Sequence, residues 1–146
     1  MTDDPENLQA VAPPAGFEPY SSSSPYTELS GPFFQRELAD GGFVRGFRVL
    51  RQHTNAAGYV HGGLLMTFVD TVMGQAVGRA IDGPALTIRM STNFLQPARL
   101  GQWVEGRGRV VRTTREIIFV TGDVTVGRRT VLAAEGMFQR IRSVRR

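Results

Sequence analysis

Asp70 stands inside an apolar run, with Leu64, Leu65, Met66, Phe68, Val69, Val72 and Met73 around it. Burying a lone carboxylate costs several kcal/mol unless it is paired, hydrogen-bonded or protonated. Such a residue either meets an arginine or does chemistry, and the natural chemistry is that of a general base toward water. If the run is helical, Thr67, Asp70, Thr71 and Gly74 fall together on one side. That side is small and polar, which suits a cleft or a contact between subunits.

Nine residues before Asp70 comes His61, followed by Gly62-Gly63. Free backbone N–H groups at a helix start stabilise negative charge, so this pair can build an oxyanion hole without a charged side chain. A glycine pair also simply makes a tight entry turn, and a single His is more often a structural hydrogen-bonder. Asn55 can offer its amide to a carbonyl oxygen or to a water, or can hold a turn. Thr87 heads the next strand, where its hydroxyl can hold a water or merely fit the pleat. Taken one by one, these residues leave both readings open.

Bulk properties remove several alternatives. The chain has 146 residues, enough for one domain with a sizeable core, and 41% of them are hydrophobic. It has no Cys, which excludes disulfides, thiolate metal sites and a Cys nucleophile. His53 and His61 are the only histidines, too few for a His-rich metal centre. Neither a thiolate nor a His-rich metal site is therefore expected, and no cofactor or metal is called for. All seventeen basic residues are Arg, and the net charge is +4. This balance fits nucleic acid, an anionic surface or a small phosphorylated ligand. The arginines are spread through the second half without a dense block or an aromatic-basic motif, so nucleic acid is not expected as a partner. The acidic opening Met1–Leu8 is wrong for a secretory signal, which points to a cytoplasmic protein. The longest apolar run, Gly62 to Ile81, approaches membrane-span length but contains Asp70, Gln75 and Arg79, so a core helix is expected and no membrane partner.

The positioning elements follow from pattern. Residues 1–30 hold five prolines and the run Ser21–Ser24, and read as an extended or mobile arm, with Phe17, Tyr20 and Tyr26 as aromatic anchors. Residues 31–146 read as the folded domain. Pro32–Leu38 and Phe43–Leu50 form a hairpin about Asp40-Gly41-Gly42. His61-Gly62-Gly63 leads into the one long helix, apolar nearly all round and so expected to be buried on every side, ending at Asp82-Gly83-Pro84. Leu86–Phe94, Trp103–Arg112, Ile117–Val126 and Thr130–Gln139 then read as four strands, joined by short loops that favour antiparallel meander pairing.

The spacing Asn55-x-x-Gly58-x-x-His61-Gly62-Gly63, six residues, Asp70, followed by Leu86-Thr87 and Asn93–Gly101, resembles the PaaI-like acyl-CoA thioesterases of the hotdog-fold superfamily. The resemblance covers about residues 30–141. It implies an α+β hotdog fold, a curved antiparallel sheet wrapped around the helix, assembled as a homodimer or homotetramer with active sites at the dimer interface. It further implies that Asn55 and the Gly62 N–H hold the thioester carbonyl. Asp70 of the neighbouring subunit activates water, Thr87 assists, and His61 fixes the loop. The partner implied is an acyl-CoA substrate. Arg99, Arg112, Arg115, Arg128 and Arg129 are candidates for its phosphates, and Phe68, Met73 and Phe94 for lining its acyl pocket. Two other readings remain, a non-catalytic acyl-CoA-binding module and a hotdog dehydratase acting on 3-hydroxyacyl thioesters, which needs a catalytic His paired with an acid on the helix.

Overall fold

The computed structural model describes residues 12–142. A two-residue strand β1 (Glu18–Pro19) and a short helix α1 (Pro25–Ser30) precede the hairpin β2 (Phe34–Glu37) and β3 (Phe43–Arg48). A 3₁₀ turn, Arg51–His53, leads to the long helix α2 (Gly62–Ala80). Then come β4 (Ala85–Phe94), β5 (Trp103–Thr113), β6 (Ile117–Val126) and β7 (Arg129–Arg140). All seven strands form one antiparallel sheet in the order β1-β2-β3-β5-β6-β7-β4.

The strands expected from alternation are present, but their order is not a simple meander. β4 does not pair with β5; it crosses to the far edge and pairs with β7, while β5 pairs with β3. Three strand spacings separate β4 from β5, about 14 Å. The segment 95–102 between them is long enough to cross that gap. Among the described residues β4 is therefore a ten-residue strand with one free edge.

Helix α2 packs on one face of the curved sheet, against β4, β5, β6 and β7. Its buried residues, Leu65, Phe68, Val69, Val72, Met73 and Val77, repeat at helical spacing. Two strand glycines let it approach closely: a methyl at Gly106 would lie 2.7 Å from Phe68 Cε1, and one at Gly122 2.7 Å from Val69 Cγ2. The expectation of burial on every side does not hold for the single chain. Met66, Thr67, Asp70, Thr71, Gly74 and Gln75 are only half-buried, because a sheet covers one side of a helix. Phe68 and Met73, expected to line a pocket, are fully buried against the sheet instead, while Phe94 is 52% exposed.

The N-terminal segment, read as an arm with no regular element, is docked over residues 12–30; residues 1–11 lie outside those described. Ser24 caps α1 through a bond from the Thr27 N–H at 3.4 Å, and Pro25 occupies the first turn, where a missing N–H is harmless. Phe17 is buried and meets Trp103 edge-on at 5.0 Å. Tyr20 lies over the guanidinium of the buried Arg45, 3.7 Å from ring centre to Cζ.

Candidate active site

Two separate sequence motifs meet at the start of α2. The Val60 N–H donates to Ala98 O at 2.8 Å, and Tyr59 bridges to Arg99, so the loop before the helix rests on the turn after β4. Asn55 Oδ1 accepts from the Ala57 and Tyr59 N–H groups at 2.9 and 3.2 Å. Both neighbours are donors, so the oxygen must face them, and the amide NH₂ is left pointing out of the turn. His61 is the N-cap of α2, its Nδ1 accepting from the Gly63 N–H at 2.9 Å. That bond uses the Gly63 donor and leaves the Gly62 N–H without a partner among the described residues. Asn55, His61 and Gly62 thus belong to one loop that enters α2, and among the described residues the Asn55 amide NH₂ and the Gly62 N–H remain free donors, the latter at the positive end of a 19-residue helix.

Asp70 lies eight residues further along α2, about 12 Å at a rise of ~1.5 Å per residue. Its side chain is half-buried on the helix side not covered by the sheet. Thr87 Oγ1 donates to Asp70 Oδ1 at 2.7 Å, and no arginine among the described residues pairs with it. The register of β4 on β7 shifts between Thr87 and Arg89, a bulge at Ile88 that sets the direction of Thr87. Within one chain the site residues therefore form two groups, Asn55–His61–Gly62 and Asp70–Thr87. A carbonyl must lie about 3 Å from its donors and from its attacking water, so one carbonyl does not span both.

The remaining candidates divide by position. Arg99 stacks over Tyr59 at 5.3 Å, and Arg129 Nη1 donates to Gln96 Oε1 at 3.1 Å and to Pro97 O at 3.3 Å, so both sit at the Asn55–Gly62 end. Arg128 is exposed in the turn before β7. Arg112 and Arg115 stand at the opposite end, near the β5–β6 hairpin, with Arg115 near Glu116 at 4.0 Å. His53 is buried, accepting from the Leu50 N–H at Nδ1 (3.0 Å) and donating from Nε2 to Gly31 O (3.1 Å). With both nitrogens engaged it has none to offer a substrate. Among the described residues no three of His, Asp and Glu gather as metal ligands, and no helix is long and apolar enough to cross a membrane. Sequence reasoning missed the contact of Phe94 with Gly62, where an added methyl would lie 3.4 Å from the ring. It also missed the hydrogen bond between Tyr26 Oη and Thr67 Oγ1 at 3.3 Å.

One long helix on a curved antiparallel sheet, with a half-buried carboxylate on its open side and free donors at its start, defines a hotdog-fold protein. The family model described as the thioesterase superfamily matches residues 57–133, a stretch that holds Gly62, Asp70 and Thr87. The chain belongs to the thioesterase superfamily. A protein of Pseudomonas aeruginosa named as an esterase is 36% identical over 127 residues, 86% of this chain and 95% of that protein. Human acyl-coenzyme A thioesterase 13 is 30% identical over 99 residues, 67% of this chain and 71% of the relative. A crystal structure of a Bacillus halodurans protein with CoA superimposes with a TM-score of 0.75 at 25% identity, covering 86% of this chain and 83% of that one. A mutant of the phenylacetic acid degradation protein PaaI from Thermus thermophilus gives 0.73 at 25%, covering 81% and 100%.

Proposed function

We propose that this protein hydrolyses an acyl-CoA thioester to the free acid and CoA, with each active site shared between two copies of the chain. The observation that carries this reading is the placement of Asp70, half-buried, free of any arginine among the described residues and bonded to the Thr87 hydroxyl. Its second carboxylate oxygen is open to a water. In the proposed step that water attacks the carbonyl carbon and passes a proton to Asp70, while the carbonyl oxygen gathers charge against the Asn55 amide and the Gly62 N–H. The C–S bond then breaks, the sulfur leaves with a proton, and the acid remains. Family membership, a relative named as an acyl-CoA thioesterase and a fold neighbour with CoA bound support the substrate class.

The sharing follows from topology. Asp70 borders β4 at Thr87, and Gly62 borders the same strand at Phe94, toward its other end. β4 has a free edge with Leu86 and Ile88 exposed, a template for pairing with another strand. Antiparallel pairing of two β4 edges about a two-fold axis inverts the strand. The Thr87 end of one copy then faces the Phe94 end of the other, which brings Asp70 toward the partner copy's donors. The engagement of both His53 nitrogens argues against the dehydratase reading.

The test is release of CoA thiol over a panel of acyl-CoAs by wild type and Asp70→Asn. Loss of a general base lowers kcat by about 100-fold or more, with unchanged folding by circular dichroism. Turnover like that of the wild type would remove Asp70 from this role.

A further inference from the structure

The short helix α1 lies outside the stretch matched by the family model, yet it stands beside the Asp70 face of α2. Tyr26, in its first turn, shares a hydrogen bond with Thr67 Oγ1, and Thr67 is one helical turn before Asp70. Residues three apart on a helix have Cβ atoms about 5–6 Å apart, so whatever reacts at Asp70 passes within reach of Thr67 and the ring hydrogen-bonded to it. Tyr26 and Leu29, three apart on α1, are 61% and 79% exposed. Tyr26 therefore stands at the rim of the half-buried face that carries Thr67, Asp70 and Thr71, with Leu29 exposed one turn further along α1.

Helix α1 is held in place rather than left loose. Its own Thr27 is buried, and Ser30 Oγ donates to Tyr26 O at 2.6 Å, closing the last turn. The carbonyl of Gly31, at its C-cap, accepts from the buried His53 Nε2. Further back, the Tyr20 N–H donates to Phe33 O at 2.9 Å while its ring covers Arg45. Arg45 is 1% exposed, and its guanidinium donates to Gln35 and to Gln75 of α2. The segment thus runs alongside α2, from Gln75 at Tyr20 to Thr67 at Tyr26.

A thioester reacting at Asp70 has two arms with opposite needs. The coenzyme arm carries phosphates that seek water and cations, and the acyl arm seeks apolar cover. We infer that Tyr26 and Leu29 form the wall of the acyl pocket, so that α1 sets which acyl groups this protein accepts. The inference rests on the proposed acyl-CoA reading and deepens it: the substrate class is an acyl group long or flat enough to reach the Tyr26 ring, a medium aliphatic chain or an aryl-acetyl group. Thr67 holds the Tyr26 hydroxyl and so positions the ring.

The experiment compares wild type, Tyr26→Ala, Tyr26→Phe and Leu29→Ala in two readouts. One is kcat/KM for octanoyl-, phenylacetyl- and acetyl-CoA. The other is calorimetric binding of the non-hydrolysable thioethers S-octyl-CoA and S-ethyl-CoA. Both Tyr26 and Leu29 are exposed, so the variants are expected to fold, which circular dichroism checks. Tyr26→Ala is expected to lower the octanoyl-to-acetyl ratio about tenfold, and the S-octyl to S-ethyl binding ratio likewise, as loss of a buried ring contact does. Tyr26→Phe should keep more of the preference than Tyr26→Ala. Ratios that stay parallel to wild type in both readouts would overturn the acyl-wall role while leaving hydrolysis intact. A change in oligomeric state alone on Tyr26→Ala would overturn it too, since the ring would then be covered by a second copy. If wild type hydrolyses nothing yet Tyr26→Ala loses the binding preference, the wall stands and the hydrolase reading falls. A wild type that binds neither thioether overturns both.

Discussion

In the proposed mechanism Asp70 serves as a base, which must be held still without being neutralised, and its bond from Thr87 fits both conditions. The Thr87 hydroxyl occupies one lone pair of Oδ1 at 2.7 Å, which fixes the rotamer, yet brings no positive charge. Hydrogen bonds to a charged group contribute about 1.5–3 kcal/mol, so loss of this one should cost about ten- to 150-fold in kcat/KM. Thr87→Val, similar in shape but without the donor, is expected to show that drop in the thiol-release assay, and Thr87→Ser to recover most of it. A Thr87→Val variant as active as wild type would mean that the hydroxyl only fits the pleat. At this scale the site was partly legible in the sequence. Asp70 was conspicuous as a carboxylate inside an apolar run, and Asn55, Gly62 and Thr87 became candidates only through their joint spacing. Tyr26 was illegible as a site residue, because its relation to Thr67 spans 41 positions and depends on how the N-terminal segment docks.

Elements hold these residues in place through contacts that respond to solution conditions. Arg79, in the last turn of α2, donates to both carboxylate oxygens of Glu37 on β2, at 2.8 and 2.9 Å, and ties the helix end to the hairpin. These bonds from Arg79, with a further one from Gln35, pull the Glu37 carboxyl down from 4.5 to about 2. A depressed carboxyl pKa gives stability that is fully present above the unfolded value and is lost as pH falls through the folded one. The window is therefore pH 4.5 down to about 2. The pair is exposed, so the effect is small. The expected result is that the gap between the urea midpoints of wild type and Glu37→Gln stays constant above pH 4.5 and narrows below it; a gap flat throughout would mean the pair contributes nothing. Most elements were legible because strand alternation and the Asp40-Gly41-Gly42 turn are local signals. Helix α1 was hidden among the prolines and serines of residues 1–30, although Ser24-Pro25 is itself a helix start. The position of β4 was not legible at all. Loop length limits where a strand can go but does not choose its neighbour, and β4 and β5 both pack on α2 although they lie three strands apart.

At the scale of the whole molecule, the division of the site into two groups about 12 Å apart along α2 leads to a test that needs no knowledge of the substrate's acyl group. Suppose each catalytic centre takes Asn55 and Gly62 from one copy and Asp70 from another. Asp70→Asn and Asn55→Ala are then each crippled at every site of their own homodimer. A mixed dimer is different: one of its two sites collects both defects, and the other collects neither. After mixing and subunit exchange, half of the dimers are mixed and each has one intact site, so activity should recover to about a quarter of wild type in a two-fold assembly. If the site were built within a single chain, every site in the mixture would still carry one lesion, and activity would stay at the average of the two parents. Free exchange is checked by tagging one variant and recovering the other with it. Recovered activity in the mixture would also tie the free β4 edge to catalysis. That edge would then be more than an adhesive surface, because its pairing is what brings a carboxylate and its oxyanion donors to the same carbonyl.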